Sequence, residues 1–122
     1  MTLSVTSKQK MDGVYMISPA GRLDTNSYPG LEERVDLVLQ EKPHTLVFDM
    51  AALEYISSMG VRVIAKAQKA MKAFDGKVVL FNLQPQIQKV FDIIKALPAQ
   101  QVFSNMGELD DYLDRMQRRV TG

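Results

Sequence analysis

Cysteine is absent from this sequence, and histidine occurs once. Without cysteine the chain has no disulfide, no thiolate nucleophile and no cysteine-based metal site. His44 follows Pro43 just before a predicted strand, so a cluster of several histidines is excluded and we expect a structural or solvent-exposed side chain. Glycine-rich phosphate-binding patterns and the G-x-S-x-G nucleophile pattern are also missing. These absences disfavour an enzyme, and the sequence indicates no cofactor and no metal site.

The sequence also lacks a long hydrophobic run and a strong net charge. No stretch approaches the roughly 18 consecutive apolar residues of a membrane-spanning helix, and no apolar segment near the start resembles a signal peptide. Lysine and arginine number 15 against 14 acidic residues, which gives a formal net charge of +1. Such a balance creates no global field that attracts nucleic acid. We therefore expect a cytoplasmic protein without direct membrane insertion and without nucleic-acid binding.

The composition that is present is typical of one globular domain. The chain has 122 residues, of which 46% are hydrophobic and 24% are charged. This length is sufficient to bury a hydrophobic core, and the hydrophobic fraction is far from that of disordered chains. We expect a single domain over residues 1–122.

The first half of the chain combines strand and helix patterns. Residues 3–7 and 14–17 flank the turn signal Asp12-Gly13 and predict a hairpin. Pro19, Gly21 and residues 24–27 then predict a loop that leads into a helix, with Pro29 in its first turn. The apolar side chains of this helix share one face at helical spacing. They are Leu31, Val35, Val38 and Leu39.

The second half alternates strands and helices. Residues 45–48 predict a central strand covered on both faces, residues 53–58 a loop, and residues 77–83 a second buried strand. Helices are predicted from Gly60, from Pro85 and after Asn105, with a short strand at 101–103. The apolar stripe of the helix from Gly60 consists of Val63, Ile64, Ala67, Ala70, Met71 and Phe74. The pattern predicts an α/β fold with a mixed central sheet of about four to five strands and about four helices.

Two neighbouring hydroxyl groups lie between a predicted loop and a predicted helix. Ser57 and Ser58 occur in the segment Tyr55-Ile56-Ser57-Ser58-Met59-Gly60. Unpaired N–H groups at a helix N-terminus stabilise a negative group by about 1 kcal/mol, so a phosphoryl group on serine is favoured there. A serine in this position also serves simply as a helix cap. Both interpretations are compatible, because a capping hydroxyl at an exposed helix start is accessible to a kinase.

Three segments of the chain resemble motifs of the STAS domain family, which includes the anti-sigma-factor antagonists. The segments are Gly21-Arg22-Leu23-Asp24, Leu46-Val47-Phe48-Asp49 and the stretch from Tyr55 to Gly60, followed by Asn82-Leu83 and Pro85 at a matching strand exit. The resemblance covers nearly the whole chain. It implies the STAS fold, and it indicates a stand-alone domain.

The resemblance assigns roles by position. Ser58 matches the phosphate-accepting serine, Gly60 the motif glycine, and Asp24 an acidic residue near the acceptor. Ser57 replaces the motif aspartate and Met59 replaces its second hydroxyl residue, and whether Ser57 shares the acceptor role is open. Asp24 could instead cap the first helix.

The resemblance also implies a partner-switching function. Such a protein binds an anti-sigma factor that is a serine kinase of the histidine-kinase-like ATPase fold, is released on phosphorylation, and is restored by a serine phosphatase. One alternative is a STAS subunit without a phosphorylation switch, such as a scaffold or a subunit bound to a membrane transport ATPase. Another is a small enzyme that acts through Asp24, Asp49 and Ser58.

A basic stripe extends from the candidate switch along the second predicted helix. Arg62, Lys66 and Lys69 recur at helical spacing, starting one turn after Ser58. A solvated helix face explains these cations as well as a docking surface does. Met59 is suited to an adaptable contact beside them. The partner-binding candidates are Asp24, Ser57, Ser58, Met59, Gly60, Arg62 and Lys66.

Overall fold

A computed structural model describes residues 3–96 of the chain, with side chains described through residue 92. In chain order the elements are β1 (Leu3–Met11), β2 (Val14–Leu23), α1 (Tyr28–Leu39), β3 (Thr45–Asp49), β4 (Leu53–Ile56), α2 (Ser58–Lys72), β5 (Lys77–Phe81) and α3 (Pro85–Ala96). The predicted α/β class with a mixed sheet is confirmed. Within residues 3–96 there are five strands and three helices. The predicted strand at 101–103 and the helix after Asn105 lie outside the described residues.

The sheet has the order β1-β2-β3-β5, and β4 pairs with the far end of β2. The hairpin partners β1 and β2 are antiparallel, whereas β2, β3, β4 and β5 pair in parallel. β3 is therefore central, as predicted, and Leu46 and Phe48 are fully buried in it. Helices α1 and α2 close the core with apolar side chains on one face of each helix. These are Leu31, Val35 and Val38 from α1 and Val63, Ile64, Ala67 and Met71 from α2.

The predicted loop from Pro19 to Ser27 is wrong in its first part, because β2 continues to Leu23, whereas residues 24–27 form the expected turn before α1. On its parallel side β2 pairs with β3 at residues 14–17 and with β4 at residues 21–23, so residues 18–20 lie between the two ladders. Proline is tolerated where a strand needs no N–H donor. Gly21, with a φ of 105°, lies where the pairing register with β4 shifts. Two residues that normally break strands are thus accommodated in a long one.

The predicted loop at residues 53–58 is also wrong in part, because its first four residues form β4. Leu53 and Ile56 are fully buried, and the strand pairs with Gly21 and Leu23 of β2. A four-residue strand gives little local signal in a sequence. Its pairing partner, about 30 positions earlier in the chain, makes it a strand.

Two further boundaries differ from the prediction. β5 ends at Phe81 rather than at residue 83, and its side chains alternate instead of being uniformly buried, with Val79 37% and Phe81 41% exposed. α2 begins at Ser58, two residues before Gly60, and ends at Lys72, which leaves Phe74 exposed beyond the helix. β5 is the last strand of the described sheet, so one of its faces is less covered by neighbouring side chains than the faces of the central strand β3 are.

Candidate functional site

The start of α2 is joined directly to the ends of β2 and β4. Ser57 follows β4, adopts an extended conformation and is the N-cap residue of α2. Its Oγ accepts a hydrogen bond from the Gly60 N–H at 3.4 Å, and its own N–H donates to the Leu23 carbonyl of β2 at 2.8 Å. The capping role predicted for this pair of serines is confirmed for Ser57.

Ser58 is the first residue of α2, and its side chain faces inward. Both Ser57 and Ser58 are only 2% exposed. The first turn of α2 contains no acidic residue, so the positive end of the helix dipole is not offset there by a carboxylate. The hydroxyl of Ser58 is thus in an electrostatic setting that favours an added phosphate. The expectation that this helix start is exposed is wrong, because the fold buries both hydroxyl-bearing residues.

Gly60 allows α2 to approach the sheet closely. A Cβ atom at this position would lie 2.6 Å from Leu23 Cγ and 2.8 Å from Ile56 Cγ1. Leu23 and Ile56 are fully buried, so neither side chain has space to move away. The motif glycine is therefore required for packing of the helix start against β2 and β4.

Asp24 stabilises the turn between β2 and α1. Its Oδ1 accepts hydrogen bonds from the backbone N–H groups of Asn26 and Ser27, each at 3.0 Å. Ser27 Oγ donates to the Arg22 carbonyl at 2.7 Å and lies 3.1 Å from this oxygen. Since Ser27 is the N-cap residue of α1, the prediction that Asp24 caps that helix is wrong. Asp24 follows Leu23, whose carbonyl binds the Ser57 N–H, so the turn is coupled to the start of α2.

A concave surface of about 500 Å³ lies between α1 and α2, beside the N-terminus of α2. It contains the predicted candidates Met59, Arg62 and Lys66. Lys66 Nζ lies 3.3 Å from Glu32 Oε2 of α1, which links the two helices across the groove. The remaining lining residues are Tyr28, Glu32, Val63, Ala65 and Lys69. Tyr28 and Glu32 could not be assigned from sequence, because only helix packing brings them beside α2.

Comparison with protein families decides the classification. The sequence model of the STAS domain matches residues 6–109. This chain belongs to the STAS domain family. A candidate anti-sigma factor antagonist of Bordetella bronchiseptica, BtrV, is 30% identical over 84 residues, covering 69% of this chain and 72% of BtrV. The anti-sigma-B factor antagonist of Staphylococcus epidermidis is 28% identical over 67% of this chain and 76% of its own length.

Solved structures show the same fold at low sequence identity. The unphosphorylated form of the anti-sigma factor antagonist SpoIIAA matches with a TM-score of 0.68 and 18% identity, covering 94% of this chain and 97% of SpoIIAA. The phosphorylated form of this Bacillus protein matches with a TM-score of 0.63 over 92% and 98% of the two chains, also at 18% identity. A sulfate transporter family protein of Wolinella succinogenes matches with a TM-score of 0.57 and 19% identity over 91% and 93%. The STAS fold is therefore shared by an anti-sigma factor antagonist and by a protein of the sulfate transporter family.

Asp49, the remaining acidic candidate, forms its hydrogen bonds away from the start of α2. Asp49 is the last residue of the central strand β3 and accepts hydrogen bonds from the Ala51 N–H at 3.1 Å and from Asn82 Nδ2 at 3.4 Å. The groove lined by Asp24 contains neither Asp49 nor Ser58. The enzyme alternative needed all three groups at one site, and Asp49 does not line the groove that Asp24 lines.

Two remaining aromatic and imidazole groups have structural contacts. The Arg22 guanidinium stacks on the Tyr55 ring at 4.0 Å from its centroid, on the paired strands β2 and β4, a contact not predicted from the sequence. His44 is exposed, and its Nδ1 lies 2.9 Å from Thr45 Oγ1. Among residues 3–96, no helix combines the length and the apolar character needed to cross a membrane.

Proposed function

We propose that this STAS domain is an anti-sigma-factor antagonist that switches partners when Ser58 is phosphorylated. The names of its relatives BtrV and the Staphylococcus anti-sigma-B factor antagonist support this function. In the proposal the unphosphorylated domain binds, in the cytoplasm, an anti-sigma factor that is a serine kinase of the histidine-kinase-like ATPase fold. The domain is the substrate and ligand of that kinase, not a catalyst, and it needs no cofactor of its own.

The chemical step is transfer of one phosphoryl group from ATP. Ser58 Oγ forms a bond to the γ-phosphorus, the bond from that phosphorus to the β,γ-bridging oxygen breaks, and ADP leaves. The hydroxyl proton passes to a base of the kinase. The product carries about −1.5 to −2 additional charge at the start of α2, which ends the complex. A serine phosphatase hydrolyses the phosphoserine with water and restores the binding form. Ser57, one residue earlier, is the second candidate acceptor.

The observation that carries the proposal is the position of Ser58 at a helix start that has no acidic residue in its first turn. N–H groups and the helix dipole stabilise a phosphate at this place. The motif position before Ser58 holds Ser57 in place of the family's aspartate, and its side chain caps the helix by accepting from the Gly60 N–H. Asp24 lies in the turn coupled to this helix start, and we assign to it an ion pair with a cation of the partner.

Burial of Ser58 favours a second candidate function. A hydroxyl that is 2% exposed is a poor kinase substrate unless the first turn of α2 opens in the complex. In a STAS subunit without a phosphorylation switch, the same serine serves only packing and the complex is permanent. A scaffold or a subunit of a membrane transport ATPase has this behaviour.

The test compares the proteins retained from source-cell extract by wild type, Ser58→Asp and Ser58→Asn, with phosphopeptides mapped by mass spectrometry in the same runs. Asn matches Asp in size without its charge, so it reports on the effect of the larger side chain alone. The switch predicts that wild type and Ser58→Asn retain a histidine-kinase-like ATPase, that Ser58→Asp loses it, and that Ser58 carries phosphate. Identical partners for all three forms, with no phosphate on Ser57 or Ser58, establish the permanent subunit instead.

A further inference from the structure

The groove between α1 and α2 differs in charge from the other two grooves described on this domain. Three cations line it, Arg62, Lys66 and Lys69, against the single carboxylate of Glu32, which leaves a net charge of +2. The groove beside β1 is lined by Asp24, Glu33 and one cation, Arg34. The groove between α2 and α3 has Asp92 as its charged lining residue. Positive charge is therefore concentrated beside the start of α2, although the whole chain carries only +1.

Two of the three cations are unpaired within the part of the chain that the structure describes. Lys66 is paired with Glu32 across the groove. Arg62 and Lys69 are exposed and form no ion pair with any residue in the range 3–96. They lie seven positions apart on α2, which places them about two turns apart, near 10 Å, on the same face.

The groove also offers apolar contacts beside these cations. Met59 and Tyr28 are half-buried, Val63 is buried, and all three line the groove. Methionine adapts its shape to an apolar partner side chain, and tyrosine provides a large contact area. A ligand that fits this surface has an apolar side chain near Met59 and carboxylates placed toward Arg62 and Lys69.

We propose that the groove between α1 and α2 binds an acidic protein segment of the partner, one that carries an apolar anchor beside its carboxylates. This inference rests on the proposed function, since it names the chemistry of the kinase surface that docks here. It also gives the switch a physical cause. Arg62 is four residues after Ser58, so a phosphate on Ser58 introduces its charge one helical turn from Arg62. The phosphate introduces about −1.5 to −2 of charge beside a groove whose lining residues sum to +2, and it competes with the partner's carboxylates.

The test measures binding of the purified ATPase recovered in the extract experiment to purified variants of this domain, by calorimetry over a series of salt concentrations. The variants are Arg62→Glu/Lys69→Glu and the neutral pair Arg62→Gln/Lys69→Gln. Lys8→Glu is the matched control, because Lys8 is exposed on β1 and does not line the groove. Circular dichroism and thermal melting of each variant check that the fold is intact.

The proposal expects affinity to fall in the order wild type, Gln pair, Glu pair. Exposed ion pairs contribute modestly, so the Glu pair is expected to weaken binding by about tenfold to a hundredfold, with a smaller salt dependence than wild type. Lys8→Glu is expected to bind like wild type. Equal affinity of wild type and the Glu pair overturns the groove as the docking surface and leaves the proposed function intact. If the extract experiment recovers no such ATPase, the proposed function fails, and this inference fails with it.

Discussion

The replacement Gly60→Ala tests whether the motif glycine serves packing or only the partner. The added Cβ would lie 2.6 Å from Leu23 Cγ and 2.8 Å from Leu23 Cδ2, and the chain offers a control in Gly30. Gly30 occupies the same third position of α1 that Gly60 occupies in α2, and an added Cβ there meets no atom within 4 Å. Neither glycine has a positive φ, so alanine fits both backbones.

The two substitutions are expected to have opposite signs. Alanine at Gly30 is expected to stabilise the domain by about 0.5 kcal/mol, because it restricts the unfolded chain without a new contact. At Gly60 the same gain is outweighed by overpacking against two fully buried side chains, which costs about 1–3 kcal/mol. The net expectation for Gly60→Ala is a free energy of unfolding lower by about 1–2 kcal/mol. The corresponding decrease in Tm is about 4–8 °C for a domain of this size.

Urea denaturation followed by circular dichroism measures both variants against wild type. Equal slopes of the unfolding free energy against urea concentration make the midpoints directly comparable. If Gly60→Ala is as stable as Gly30→Ala, the close packing of α2 on β2 and β4 does not hold. Gly60 would then have to be explained by a direct contact with a partner.

Three other predictions concern single side chains. Ser57→Ala removes the cap of α2, and because its 3.4 Å hydrogen bond is long we expect a cost of only about 0.5–1 kcal/mol in urea denaturation; no loss would show that Ser57 does not cap. Ser58→Asp places a charge at a buried position, so it is expected to increase hydrogen exchange in the first turn of α2 more than Ser58→Asn does. Partial burial of the Tyr15 ring, together with the Glu41 carboxylate 3.4 Å from its hydroxyl, raises the pKa of Tyr15 above 10.0. The neutral phenol is favoured in the fold, so its contribution to stability is complete below pH 10 and is lost as pH rises through the higher folded pKa. Glu41→Gln is expected to lower this pKa in an absorbance titration referenced to Tyr15→Phe, and an unchanged midpoint would contradict the contact.

Several elements could be predicted because their signals are local. The apolar faces of α1 and α2 repeat at helical spacing, and the continuous apolar run of β3 is typical of a strand covered on both sides. The hydroxyl pair at the start of α2 was also recognisable, since serine before an apolar helical pattern is a capping signal. The motif resemblance also identified the STAS domain family, and the family model that matches residues 6–109 shows the same family.

Other features could not be predicted because they depend on residues distant in the chain. Pro19 and Gly21 lie in a strand because two parallel ladders flank residues 18–20, and residues 53–56 form a strand because β2 pairs with them. Asp24 was predicted as a cap of α1, but the geometry of the turn gives that position to Ser27. These features cannot be read from the sequence, because each depends on which backbone groups form hydrogen bonds with one another after folding.

The sequence by itself determined the α/β order, the buried faces of the helices, the central strand and the presence of Ser57 and Ser58 at a helix start. Only the tertiary structure decided that Ser58 is buried, that Gly60 must lack a side chain, and that Glu32 of α1 lies beside Lys66 of α2. The reason is that periodicity and capping are properties of neighbouring residues, whereas burial, close approach and groove charge arise when separate elements pack together.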